Sequence, residues 1–193
     1  MEHRRGLIRV AAAGILAGAF ALAPWALAAT DSTALKGKDD AAGLIKEGSV
    51  ALPFSLADID NKAVSLESFA GKKVVLLAFW SFFCGPCREE IPLLDEVTKK
   101  YSKDGVEMLA INLDGPKMDK AVRKYMSSNG FAFRVLWEKI EGPKYMTADS
   151  YGVAGTPTVV LVGKDGKVSW AHVGRAESSK IEAEIKKALA AGG

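Results

Sequence analysis

From Val74 to Trp80 the chain reads Val-Val-Leu-Leu-Ala-Phe-Trp, seven apolar residues without a polar interruption. Alternation would mark a strand with one wet face. Its absence predicts a strand buried on both sides, in a sheet covered by helices. Val106 to Asn112 reads as a second buried strand, and Thr158 to Val162 as a further strand. Between these runs the period changes. Ile91, Leu94, Thr98 and Tyr101 recur at helical spacing, and Met118 to Ser128 is a second helix, stopped by Asn129-Gly130. Phe131 to Trp137 is a short strand, and a helical stretch runs from about Pro143 to Tyr151. Upstream, Phe54, Leu56 and Ile59, a turn at Asp60-Asn61, then Val64 and Leu66 predict a hairpin within Leu52 to Leu66. Near the C-terminus Lys164-Asp165-Gly166-Lys167 turns a second hairpin back through Val168 to Val173. Ile181, Ile185 and Leu189 make a closing amphipathic helix. Alternating strands and helices followed by a terminal hairpin and helix predict an α/β sandwich around a mixed central sheet.

The first residues follow another logic. Arg4, Arg5 and Arg9 give a basic start, and Val10 to Thr30 carries no charge. Pro24, then Ala26-Leu27-Ala28 and Ala29, supplies the small-x-small pattern that signal peptidase accepts. Residues 1–29 therefore read as a secretory signal. An uncleaved membrane anchor is the alternative, since a span needs roughly 20 residues. Residues 30–48 are polar and aperiodic, a linker, and 49–193 form one domain. Of the net charge of +3, three arginines and one glutamate in residues 1–29 carry +2, leaving +1. Nothing in that balance favours nucleic acid or an anionic membrane surface as a partner. The expected compartment is the periplasm, where disulfides persist.

Export gives weight to the two cysteines, Cys84 and Cys87, in Cys84-Gly85-Pro86-Cys87. Two cysteines placed at random in this length fall three apart roughly 1% of the time. So short a loop constrains little chain entropy, which argues against a structural staple and for redox chemistry. The nucleophile must be a thiolate, whereas free cysteine titrates near ~8.5. A position where a buried strand ends and a helix begins favours the anion, through unpaired N–H groups and the helix dipole. Gly85 permits the tight turn, and Pro86 is tolerated in a first helical turn.

The stretch Phe79-Trp80-Ser81-Phe82-Phe83-Cys84-Gly85-Pro86-Cys87-Arg88-Glu89-Glu90-Ile91-Pro92 resembles the active-site segment of thioredoxins. In detail it is similar to the exported thioredoxin-like proteins of the TlpA and ResA type. The resemblance covers roughly Leu52 to Leu189 and implies a thioredoxin-like fold with an added N-terminal β-hairpin. It implies that Cys84 attacks a partner disulfide and that Cys87 resolves the mixed disulfide. It implies that Trp80 stands at the family's first tryptophan and that Pro92 kinks the active-site helix. It also implies that Pro157, in Gly155-Thr156-Pro157-Thr158, follows a cis peptide bond facing the cysteines, with Thr156 pairing to an extended substrate. Trp80, Gly85, Pro86, Thr156 and Pro157 are thus the expected substrate-binding residues. Glu90, three residues after Cys87, lies on the same helical face; the resemblance implies that it takes the place of the acid that classical thioredoxins carry six residues before the first cysteine, where Ala78 stands here, the alternative being an ordinary acid favoured by the helix dipole. Buried beside a thiol, such a carboxylate could accept its proton. Phe83 departs from the family, many of whose members have tryptophan there, and this leaves the substrate surface open.

The implied function is reduction of disulfides in exported proteins, among them apocytochrome c before haem attachment, with electrons from a membrane dithiol protein. No bound cofactor and no metal are implied, since one histidine, His172, beside two cysteines makes a poor metal site. Two other readings remain. A thiol peroxidase is suggested by Ser81-x-x-Cys84, although Leu77 stands where its upstream proline is expected. A non-catalytic binding module could keep the framework without using the cysteines.

Overall fold

The structure, a computed structural model, describes residues 43–192. The signal or anchor segment 1–29 and the linker up to residue 42 lie outside the described residues. Two short strands come first, β1 (Ser55–Ala57) and β2 (Ala63–Ser65), paired antiparallel with Leu56 opposite Val64. Asn61 takes the left-handed conformation at φ +59°, which asparagine tolerates. The Asp58 carboxylate accepts from the N–H groups of Asp60 and Lys62, both at 2.9 Å, and closes the turn.

The main sheet contains β3 (Val74–Trp80), β4 (Val106–Asn112), β5 (Arg134–Trp137), β8 (Thr158–Val162) and β9 (Val168–Val173), in the order β5-β4-β3-β8-β9. Strands β3, β4 and β5 run parallel, while β8 and β9 are antiparallel to their neighbours. The apolar runs are continuous because side chains alternate between two dry faces. On one face Val74, Leu76, Ala78 and Trp80 meet Ile91 and Leu94 of α1 (Gly85–Lys100), Val122 of α2 (Asp119–Asn129) and Ile181 and Ile185 of α4 (Ser178–Ala191). On the other, Val75, Leu77 and Phe79 meet Leu56 and Val64 of the hairpin, with Ala148 and Tyr151. This is the mixed central sheet flanked by helices that the pattern predicts, with the hairpin added at the N-terminal side.

Two predicted elements differ. The stretch Pro143 to Tyr151 is helical only over α3 (Met146–Ser150). A small hairpin, β6 (Ile140–Glu141) with β7 (Lys144–Tyr145), precedes it, turning through Gly142 at φ +60°. Helix α3 begins where it does because the buried Glu138 carboxylate accepts from the Thr147 and Ala148 N–H groups, each at 2.9 Å. The strand read from Phe131 pairs only from Arg134 onward. Residues 43–48 run against the domain: Ile45 N–H donates to Tyr151 O at 2.9 Å and Gly48 N–H to Val168 O at 2.8 Å.

Candidate active site

Strand β3 ends at Trp80, and a tight turn follows in which Cys84 N–H donates to Ser81 O at 3.1 Å. Cys84 is the N-cap of α1, extended at φ −82° and ψ 107°. Its sulfur accepts the Cys87 N–H at 3.2 Å, so it sits at the mouth of a helix of 16 residues. That is where the backbone offers the most stabilisation to a thiolate. Gly85 and Pro86 form the first turn, with Pro86 exposed. Cys84 is half-buried and Cys87 is 1% exposed, and a disulfide joins them.

Thr156 and Pro157 come to the same place from 72 residues away in sequence, the Cys84 sulfur lying 3.5 Å from the Thr156 carbonyl oxygen. In the disulfide that sulfur has no hydrogen, so the approach is a contact; in the dithiol the S–H could donate. The Thr156–Pro157 peptide is cis. The Thr156 N–H carries no backbone hydrogen bond among the described residues. Gly174 N–H donates to Pro157 O at 2.7 Å and ties this wall to the end of β9.

Glu90 lies one helical turn beyond Cys87 and is 1% exposed. Its Oε1 accepts the Ala176 N–H at 2.8 Å, and its Oε2 has no partner among the described residues. Burial raises its pKa above the ordinary carboxylate range; the Ala176 hydrogen bond, His172 and Arg175 pull the other way. Of the expected substrate-binding residues, Trp80 and Pro157 are buried. Trp80 is 1% exposed and packs beneath the turn against Tyr125, ring centroids 6.0 Å apart, so its indole does not reach the surface. The aromatic that does is Phe83, 73% exposed and edge-on to Phe82.

Residues 46–189 match the Redoxin family. The chain is a Redoxin. A thiol–disulfide oxidoreductase ResA of Bacillus thuringiensis (strain Al Hakam) is 36% identical over 140 residues, 72% of this chain and 77% of that protein. The thioredoxin-like protein YneN of Bacillus subtilis (strain 168) is 33% identical over 142 residues, 73% of this chain and 79% of that one. Among solved structures, a Chlorobium tepidum protein assigned as the thiol:disulfide interchange protein DsbE superposes with a TM-score of 0.66 at 33% identity, covering 75% of this chain and 99% of the other. This Redoxin is thus a thioredoxin-like thiol–disulfide oxidoreductase of the TlpA and ResA type, acting on disulfide-containing proteins.

Sequence reasoning missed the brace under the Redoxin's redox turn. The Asp114 carboxylate accepts from Ser81 Oγ at 2.7 Å, the Phe82 N–H at 2.6 Å and Asn112 Nδ2 at 3.1 Å. Asp114 N–H donates in turn to Asn112 Oδ1 at 3.0 Å, and the bonds from Ser81 and Phe82 tie the loop after β4 to the loop after β3. The only sequence signal is a polar pair, Asn112 and Asp114, just past a buried apolar run.

Proposed function

We propose that this Redoxin is a periplasmic reductant of disulfides in exported proteins and that Cys84-Gly85-Pro86-Cys87 is its working dithiol. The Cys84 thiolate attacks a client disulfide, forming a mixed disulfide and releasing one client sulfur. The Cys87 S–H proton passes to Glu90. The Cys87 sulfur then bonds to Cys84 as the Cys84–client bond breaks, and the departing client thiolate is protonated by solvent. Two electrons leave the dithiol, and the client disulfide becomes two thiols. A membrane dithiol protein restores the reduced state, and apocytochrome c is one client of the expected kind. Client backbone pairs with Thr156 as an added strand against Pro157.

One observation carries this reading: the half-buried Cys84 sulfur beside the Thr156 carbonyl, with Cys87 and a half-satisfied Glu90 sealed behind it. Direction rests on the Gly85-Pro86 pair, which thioredoxin shares. Thioredoxin sits at about −270 mV, against about −120 mV for the oxidant DsbA. The test is Cys87→Ser in the full chain, which stalls the mixed disulfide. Exported proteins should then be recovered attached to Cys84 and be released by dithiothreitol. No thiol-releasable adduct, or a potential of the parent protein near the DsbA end, overturns it.

A further inference from the structure

The segment joining β9 to α4 touches both halves of the site. Its Gly174 N–H donates to Pro157 O at 2.7 Å, on the wall beside the Cys84 sulfur. Its Ala176 N–H donates to Glu90 Oε1 at 2.8 Å. Between them Arg175 reaches back to α1 and pairs with Glu89, Nη1 to Oε2 at 2.6 Å. The Arg175 carbonyl lies 3.2 Å from His172 Nε2, an approach that suits an N–H donor, and the His172 ring stacks on Trp170 with centroids 5.6 Å apart. Two neighbouring carboxylates of α1 are therefore held by two neighbouring residues of one short segment.

The Arg175–Glu89 side chains are 50% and 64% exposed, and an ion pair so wet adds little to stability. Its placement has another effect. Pulling Arg175 onto α1 sets the Ala176 N–H against the buried Glu90 oxygen and keeps a cation close to it. The titratable and charged groups around Glu90 are Cys87 one turn earlier, Glu89 on the same helix, and His172 and Arg175 from the β9 side. The Arg175 charge, and that of His172 when it is protonated, favour the carboxylate; desolvation favours the acid.

We propose that Arg175 is a positioning residue for the resolving step: by pairing with Glu89 it pins residues 174–176 to α1 and holds the Glu90 carboxylate ready to accept the Cys87 proton. The inference rests on the reading of Glu90 as that acceptor. Its test uses the reduced full-length protein and an aromatic disulfide, dithiobisnitrobenzoate. Attack by Cys84 releases one coloured thiolate and attack by Cys87 the second, so the second phase times resolution. With Arg175→Gln the pH midpoint of that phase should move upward, making it roughly threefold slower below the parent's midpoint, the scale of one half-exposed charge. The first phase should be unchanged, and Arg175→Lys should restore the second. Repeating the pair of measurements with His172→Asn keeps the imidazole's own titration out of the profile. If the Arg175→Gln and parent profiles superimpose while Glu90→Gln slows the second phase, this inference fails and the acceptor role stands. If Glu90→Gln leaves the second phase unchanged, both fail.

Discussion

Glu90 shows what burial does to a carboxylate. One oxygen is bonded, the other is buried without a partner among the described residues, and desolvation lifts its proton affinity. A raised native pKa means that the native state binds the proton more tightly than the unfolded chain does. Unfolding free energy then declines as pH climbs from the ordinary carboxylate range through the raised value, and this part of the stability is complete only below it. Urea midpoints of the oxidised protein should therefore fall over that interval relative to Glu90→Gln. A constant difference between the two proteins would show that Glu90 does not titrate there. At this scale the sequence is readable where chemistry fixes spacing, as in Cys84, Cys87 and Glu90. It is opaque where a polar residue acts through loop geometry. Asp114 braces Ser81 and Phe82 across 33 and 32 positions, which no local pattern encodes.

Helix α1 contains a proline in its interior, and the repair is visible. Pro92 has no N–H to give to the carbonyl four residues earlier, that of Arg88. Tyr125 of α2 supplies the missing donor, its hydroxyl lying 3.1 Å from Arg88 O. Tyr125→Phe should cost about 0.5–1.5 kcal/mol in denaturant unfolding. In a Pro92→Ala background, where the helix provides its own N–H, the same substitution should cost less, and additive losses would refute the coupling. The strands β3, β4 and β8 have the bounds read from the sequence, because residues buried on both faces of a sheet leave little choice of period. The stretch from Pro143 to Tyr151 misled because it is helical only from Met146. The turn at Gly142 and the cap from Glu138 decide where helix can begin, and both depend on the folded neighbourhood.

Across the whole molecule the sheet separates two cores, and only one touches the redox helix. Leu77 is fully buried on the hairpin side. Leu77→Ala should lower stability by about 2–5 kcal/mol. The rate of Cys84 alkylation in the reduced folded state should stay the same, since the lost volume faces away from α1. A parallel drop in that rate would show that the two layers are mechanically coupled. The architecture was legible because three largely apolar runs, at 74–80, 106–112 and 158–162, leave few ways to build a sheet. The union of the 155–157 segment with the redox turn was legible only through family resemblance, since it depends on which strand settles beside β3. That dependence has a consequence for timing. Cys84 and Thr156 meet only after β8 has zipped antiparallel along β3, 72 positions downstream. A half-synthesised polypeptide carries both thiols but lacks the wall that Thr156 and Pro157 set beside Cys84.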